Sequence, residues 1–464
     1  MNRMTVISSF KKNMLLALGA QAIALGVGLI KSLVLPAAMS VEGFAYWQVY
    51  VLYSGFVGVC AFGYTDGVYL LYGGCDYKDL PFERLRGANR VYCVFLIVFS
   101  VALGCLSMLD GDGLRSFAFF FVAVDVFVLC LSGLLTYVLQ VTNQFKLYSF
   151  CTVVDKVIFL GVAICLAVTG FTDFRVFVLV DAATKVVALG FFVWYCRGML
   201  FGRAISLAAS AHEALAYART GISLMFANLS SMLISNLGRF IIDWLGDLAS
   251  YAYYSFGNSV TNLVLTFVTA VSSVLYPKLK RVPDSELDFY YKKIDKAMLS
   301  IATAGLLLYF PASWFVGVFY AKYTPMLAYL NIMFVSAVFQ AKMSILVNTF
   351  YKTLRMERRM LVANVQCVAA FAIMAGISFW FTRDVWWIAA STAATAALRC
   401  VLSEREIRQR LKIKDLRPSG IQCLLAVGFF AFTFLLPTAW ALGAFCALAA
   451  ACGAWMLAQK RMEA

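Results

Sequence analysis

Four polar side chains at helical spacing stand out in an apolar stretch near the middle of the chain: Asn228, Ser231, Ser235 and Arg239. Steps of three and four residues place them on one face of a helix. The next apolar stretch carries a second stripe, made of Ser255, Asn258, Asn262, Thr266 and Thr269. Amides and hydroxyls form neutral hydrogen bonds, and an arginine binds anions. The two stripes therefore predict a water-filled cavity between helices.

The helices that carry these stripes are predicted to cross a membrane. The chain has 464 residues, of which 62% are hydrophobic and only 14% charged, which leaves too little polar sequence for a soluble surface. We expect an all-α polytopic membrane protein with about fourteen transmembrane helices. The expected spans are 14–36, 42–64, 91–109, 116–139, 147–169, 175–196, 219–243, 250–276, 297–318, 326–350, 360–382, 385–400, 420–437 and 439–458.

The distribution of lysine and arginine predicts the orientation. Most of the 39 basic residues fall in alternate connections, which the positive-inside rule assigns to the cytoplasm together with both termini. The net charge of +15 is therefore a property of topology and predicts no binding of nucleic acid.

Several classes of site are not expected. The 13 cysteines have no ligand spacing, and the single histidine, His212, lies in a predicted loop, so we expect no metal site, no cofactor and no catalytic residue. The connections are too short to form a catalytic domain. A membrane enzyme acting on lipid-linked sugars remains an alternative of a different class, but the sizeable outer loop that it needs is missing.

The chain is predicted to contain two related halves. Lys31 precedes Tyr46 by the same distance as Arg239 precedes Tyr254, and each cation lies toward the outer end of the first helix of its half. The domains expected are 1–200 (spans one to six), 201–418 (a linker and spans seven to twelve) and 419–464 (a helix pair).

The sequence resembles the polysaccharide flippases of the multidrug/oligosaccharidyl-lipid/polysaccharide exporter superfamily, especially the O-antigen and capsule type. The resemblance is carried by the order and spacing of four segments: SVEGFAYWQ at 40–48, LQVTNQFKLYS at 139–149, GRFIIDWLGDLASYAYYS at 238–255 and YPKL at 276–279. Relatives often have an acid directly before the cation of the seventh span, where this chain has Gly238.

The resemblance implies two six-helix lobes around a central cavity that opens alternately to each side of a bacterial inner membrane. It implies a polyprenyl-diphosphate-linked oligosaccharide as substrate, surrounding membrane lipids, and the polysaccharide polymerase machinery as a partner. A drug or metabolite antiporter of the same fold is the alternative. It would export organic cations and need cavity acids, whereas only Asp155 and Asp181 are clearly acidic among the charges predicted within spans.

The charges within spans are the candidate substrate and ion sites, because each is costly in a bilayer. Lys31 and Arg239 are predicted to bind the diphosphate, although both could instead extend to the outer interface. Asp181 and Lys185 are four residues apart, which fits either a structural pair or a site in which Asp181 couples transport to an ion. The full set of candidates for substrate is Arg239, Lys31, Asn228, Ser231, Ser235, Asn258, Asn262, Lys185 and Lys342, and for ion coupling Asp181 and Asp155.

For two of these candidates, Asp155 and Lys342, the neighbouring residues indicate which face of the helix they occupy. Asp155 and Lys156 are adjacent and should point apart, so no good pair is expected between them. Lys342 lies nearly opposite the polar stripe Gln340, Ser344 and Asn348, so it and the stripe cannot face one cavity together.

Overall fold

The computed structural model describes residues 3–73, 75–142, 144–279 and 282–463. These residues form helices and short connections, with no strand among them, which confirms the all-α prediction. The chain divides into two compact units, Met1–Met232 and Leu233–Ala464, and α9 runs across the division. The division of the sequence into segments 1–200, 201–418 and 419–464 stays a prediction.

The first unit consists of long helices and two short ones. Its helices are α1 (Arg3–Ala38), α2 (Val41–Phe56), α3 (Tyr64–Leu71), α4 (Phe82–Ser107), α5 (Gly113–Val141), α6 (Phe145–Val168), α7 (Phe174–Tyr195), α8 (Arg197–Leu200) and the first part of α9 (Leu207–Leu245). A 3-10 turn, Val57–Ala61, continues α2.

The second unit contains the rest of α9 and the remaining helices. They are α10 (Leu248–Leu279), α11 (Leu287–Leu307), α12 (Tyr309–Phe319), α13 (Leu327–Lys342), α14 (Asn348–Thr353), α15 (Glu357–Thr382), α16 (Val385–Arg410), α17 (Arg417–Leu435) and α18 (Thr438–Glu463). A π-helical turn, Met343–Val347, joins α13 to α14.

Eleven helical segments of the described chain are long and apolar enough to cross a membrane. A twelfth is formed if the two parts of α9, Leu207–Ser230 and Ser235–Leu245, are one span. Every one of the predicted spans overlaps a helix, but the total of fourteen stays a prediction. The shortest expected span, 385–400, belongs to a longer helix, Val385–Arg410.

Proline explains the division of the ninth predicted span. The helix stops at Leu307 and starts again at Tyr309, shortly before Pro311. Because proline has no backbone N–H, it cannot donate to the carbonyl one turn earlier, which belongs to Leu307. The break therefore lies where proline chemistry requires it.

The surfaces of several helices are apolar where they are exposed. On α4, Val94, Val98 and Val101 lie on one face and are 61%, 63% and 60% exposed. A soluble protein avoids such a continuous apolar face, whereas hydrocarbon is a good solvent for it. These faces identify a multi-pass membrane protein.

In the first unit, the backbones of α3 and α9 are in direct contact. A Cβ atom on Gly67 would lie 1.8 Å from the carbonyl oxygen of Tyr217, and one on Gly221 would lie 2.0 Å from that of Gly63. Gly63 also has a φ of +79°, which only glycine adopts readily. Glycine is thus required for the close approach of α3 and α9.

Gly67→Ala should lower the thermal stability of the purified protein, because the added methyl group must push α3 away from α9. Overpacking of this kind costs about 1–3 kcal/mol or more. Gly190→Ala on α7 is the matched control, since nothing lies within 4 Å of the Cβ atom it would add. It should leave stability unchanged or raise it by up to about 1 kcal/mol through helix propensity. Equal melting temperatures for the two variants in detergent would contradict the close contact.

Candidate functional site

The first unit brings six polar side chains from four helices into one cluster within the membrane helices. We name it the Asp181 cluster; its members are Lys31 on α1, Tyr50 and Ser54 on α2, Asp125 on α5, and Asp181 and Lys185 on α7. These charges meet because none of them is stable alone in hydrocarbon.

Lys185 occupies the centre of the Asp181 cluster and uses its full donor capacity there. Its ammonium nitrogen lies 2.8 Å from Asp181 Oδ2, 2.6 Å from Asp125 Oδ2 and 2.9 Å from the hydroxyl oxygen of Tyr50. A lysine ammonium has three N–H donors, and these three acceptors match them. Asp125 is fully buried, and Lys185 is the cation that balances it. Lys185 is therefore placed to hold the cluster together.

Lys31 has a different position in the same cluster. Its ammonium nitrogen lies 2.9 Å from Asp181 Oδ1, and its side chain is 28% exposed, against 16% for Lys185. The same nitrogen lies 3.9 Å from the ring centre of Phe159 and 4.7 Å from that of Trp47. Asp181 is its one ion-pair partner among the described residues, so part of its donor capacity remains for a ligand.

A cavity of about 370 Å³ opens beside the Asp181 cluster. Lys31, Asp181 and Lys185 line it, and Asp155 and Lys156 line it from α6. The charged atoms of Asp155 and Lys156 lie 3.4 Å apart, so these neighbours are in contact, although adjacent positions cannot form an ideal helix-surface pair. Lys156 also donates to the backbone oxygen of Thr152 at 2.9 Å, one turn earlier, which turns its side chain toward Asp155. The cavity wall therefore carries charges of both signs.

Arg239 lies in the second unit and is buried, with 8% of its surface exposed. Its Nη2 donates to the hydroxyl oxygen of Tyr251 at 3.4 Å, and its guanidinium carbon lies 5.9 Å from the Tyr251 ring centre. Tyr254, one turn further along α10, lies 3.3 Å from the hydroxyl of Thr392. The guanidinium is thus held among aromatic and hydroxyl groups.

The neutral candidates are placed differently from one another. Asn228 is exposed and lines a second cavity in the first unit. Ser235 and Asn262 are exposed and Asn258 is half-buried in the second unit. Ser231 falls within α9, but its side chain lies outside the described part of the chain.

Lys342 is paired with acids inside the second unit. It is 1% exposed and belongs to a buried group that we name the Lys342 cluster: Asp295, Lys342, Glu404, Arg408 and Ser419. Its ammonium lies 3.0 Å from Asp295 Oδ1 and in contact with Glu404. These contacts place Lys342 in a buried charge cluster, and its part as a substrate cation stays a prediction.

Arg408 completes the Lys342 cluster. Its guanidinium lies 2.9 Å from Asp295 and 3.3 Å from Glu404, so two cations and two acids balance each other. Ser419 accepts from Arg408 and donates to Glu404, both at 2.5 Å. The π-helical turn begins at Met343, directly after Lys342. The arrangement ties α11, α13, α16 and α17 together.

Sequence reasoning missed Asp125, which is the buried counter-ion of Lys185. The signal was available, since Asp125 stands within the long apolar run of α5 and every charge in such a run needs a partner. With Asp125 included, the first unit has as many acids as lysines at its cavity. The numbers of acids and lysines within spans therefore do not favour an anionic substrate. What favours an anionic substrate is that Lys31 is more exposed to the cavity than Lys185.

The structure of the chain is similar to that of a known flippase. It matches a structure of the lipid II flippase MurJ in an inward closed conformation, with a TM-score of 0.68 and 11% identity, over 96% of this chain and 99% of that one. A multidrug resistance MATE family transporter of the MOP superfamily, outward-facing, matches with a TM-score of 0.49 and 14% identity over 85% and 96% of the two chains. The first match defines the fold class, a multi-pass helical membrane protein with the flippase fold.

A family described as "Polysaccharide biosynthesis protein" matches residues 91–301. Together with the fold, this match confirms the predicted resemblance to polysaccharide flippases. No curated protein matches the sequence with significance.

The buried ion pairs of Lys342 and the exposed ion pair of Lys292 should contribute differently to the stability of the protein. Lys342→Met leaves Asp295 and Glu404 buried with too little positive charge, and breaking such a buried pair costs about 3–5 kcal/mol. Lys292→Met removes an exposed pair with Asp288, at 3.3 Å, and should cost about 0–1 kcal/mol. The measurement is the thermal unfolding of both purified variants; a stable Lys342→Met protein would show that Lys342 is not the balancing charge.

Proposed function

We propose that the protein moves a polyprenyl-diphosphate-linked oligosaccharide from the cytoplasmic to the outer leaflet of the bacterial inner membrane by alternating access. The product would supply surface polysaccharide assembly, with the polymerase machinery as the next user. In this proposal both termini are cytoplasmic. The fold and the family match at 91–301 support a flippase, and the exposed part of Lys31 in its cavity is the observation that carries the substrate class.

The chemistry of Lys31 suits a diphosphate. Diphosphate and sugar hydroxyls cannot enter hydrocarbon without replacing their hydrogen bonds to water. Lys31 provides a cation that is bound to one carboxylate oxygen of Asp181 and still open to the cavity. A ligand with several anionic oxygens would bind the remaining N–H groups and draw the ammonium away from Asp181. Lys185 would then stay as the cation that keeps Asp181 in place.

The remaining predicted residues take supporting parts in this proposal. Arg239 is a second cation for phosphate, with a planar fork that binds two oxygens at once. Asn228, Ser235, Asn258 and Asn262 offer neutral donors and acceptors for sugar hydroxyls. Ser231 is proposed for the same part.

Lys31→Ala should abolish export of the glycan while the protein still folds, because it removes the accessible cation and leaves Asp181 paired with Lys185. Lys31→Arg should retain part of the activity, since the charge remains. Lys292→Ala is the control, as it removes an exposed lysine outside the cavity. The measurement is surface polysaccharide in a deletion strain complemented at equal protein level.

Normal surface polysaccharide with Lys31→Ala would show that this lysine does not bind the substrate. Deletion of the protein tests the function itself: a complete lipid-linked oligosaccharide should accumulate on the inner leaflet. Its mass identifies the glycan. Unchanged lipid-linked intermediates would contradict the proposed function.

A further inference from the structure

A second cavity, of about 490 Å³, lies within the first unit and contains one acidic side chain. Its walls come from the end of α2, the 3-10 turn, α3, α5 and α9. The polar residues among them are Thr65, Asp66, Tyr137 and Asn228. The other lining residues are apolar, glycine or Cys130, so Asp66 carries the charge of this cavity.

Asp66 differs from the other acids that line or border the cavities of this unit. Asp125 and Asp181 bind Lys185, and Asp155 lies against Lys156. Asp66 is nine-tenths buried, with 9% exposed, and forms neither an ion pair nor a hydrogen bond through its carboxylate within the described chain. Burial raises the pKa of Asp66, because the charged form loses water and gains no cation.

The groups that face α3 from its neighbours are neutral at physiological pH. They are Tyr92 and Cys93 on α4, Cys130 and Tyr137 on α5, and Tyr217 on α9, while α3 and its cap add Tyr64, Tyr69 and Tyr72. The charged pair near the end of α3 is Arg84 with Glu213, 3.8 Å apart, and these two balance each other. The protonation state of Asp66 therefore depends on its own burial and on water in the cavity.

The position of Asp66 connects its charge to a rigid contact. It precedes Gly67, whose backbone lies against the carbonyl of Tyr217 on α9. A carboxylate needs water or a cation, whereas a carboxylic acid can stay in an apolar site. Loss or gain of a proton therefore changes whether the cavity beside the α3–α9 contact must supply water or a cation to Asp66.

We propose that Asp66 is a protonation site that couples the transport cycle to proton movement; the coupling rests on the proposed function, whereas the protonation does not. The carboxylate takes a proton from the aqueous phase to which its cavity is open, and releases it as a proton to water when the cavity opens to the other phase. This replaces Asp181 as the ion-coupling candidate, since both oxygens of Asp181 already bind lysine.

The protonation is tested by infrared difference spectroscopy of the purified protein in detergent, in pH steps from about pH 4 to about pH 8, so that a carboxyl group that titrates above the ordinary range of exposed ones is separated from them. A carboxylic acid band should disappear as the pH rises, and Asp66→Asn should lose this band. Asp79→Asn, at an exposed aspartate, should keep it. A band of equal size in Asp66→Asn, or no titrating band in the wild type, would overturn the proposal.

Thermal unfolding provides a second measurement and shows that the variant folds. A carboxyl group with a raised pKa in the folded state destabilises the fold as the pH rises through that pKa, and asparagine does not. Asp66→Asn should therefore melt above the wild type at about pH 8 and at the same temperature at about pH 4. A difference that does not change with pH would contradict a titrating Asp66.

The coupling is tested in the complemented deletion strain. Asp66→Asn should lose glycan export at normal protein level, and Asp66→Glu should retain part of it. Normal export in Asp66→Asn overturns the coupling even if the infrared band is lost. If deletion of the protein leaves the glycan unchanged, the proposed function fails, and the infrared result still decides the protonation of Asp66.

Discussion

The pairing of charges inside apolar helices is the constraint on which both units depend. An ion in hydrocarbon is stable only beside an opposite charge or water, so each charged side chain determines where a neighbouring helix must lie. In the first unit, Asp181 and Asp125 share Lys185, which fixes α2, α5 and α7 around one point. In the second unit, Asp295 and Glu404 share Lys342 and Arg408.

Charged side chains that are surrounded by partners differ from those that face a cavity: the first are structural, and the second are candidates for function. Lys185 and Lys342 are surrounded by acceptors, and a ligand could reach them only by taking those acceptors' place. Lys31 contacts one acid and faces a cavity, and Asp66 faces a cavity without a cation in the described chain. One unit thus offers an accessible cation for an anionic ligand and, separately, an acid for a proton.

The sequence was sufficient for the helices but only partly for the site. Apolar runs predicted where helices lie, because this signal is local. The pair Asp181–Lys185 follows from helical spacing, yet the link from Lys31 to Asp181 joins residues far apart in the chain, and no local pattern predicts it. The ion pairs of Lys342 escape prediction for the same reason: its partners Asp295 and Glu404 are on other helices. Asp66 was missed because it lies just after the expected span 42–64 and was assigned to a loop.

Movement of a lipid-linked oligosaccharide across a bilayer can be measured with purified protein in vesicles. The vesicles contain a fluorescent polyprenyl-diphosphate oligosaccharide, and a membrane-impermeant hydrolase is added outside. Wild-type protein should make the inner-leaflet pool accessible to the hydrolase, whereas Lys31→Ala protein should do so no faster than empty vesicles. Equal accessibility with and without the wild-type protein would contradict the proposed function.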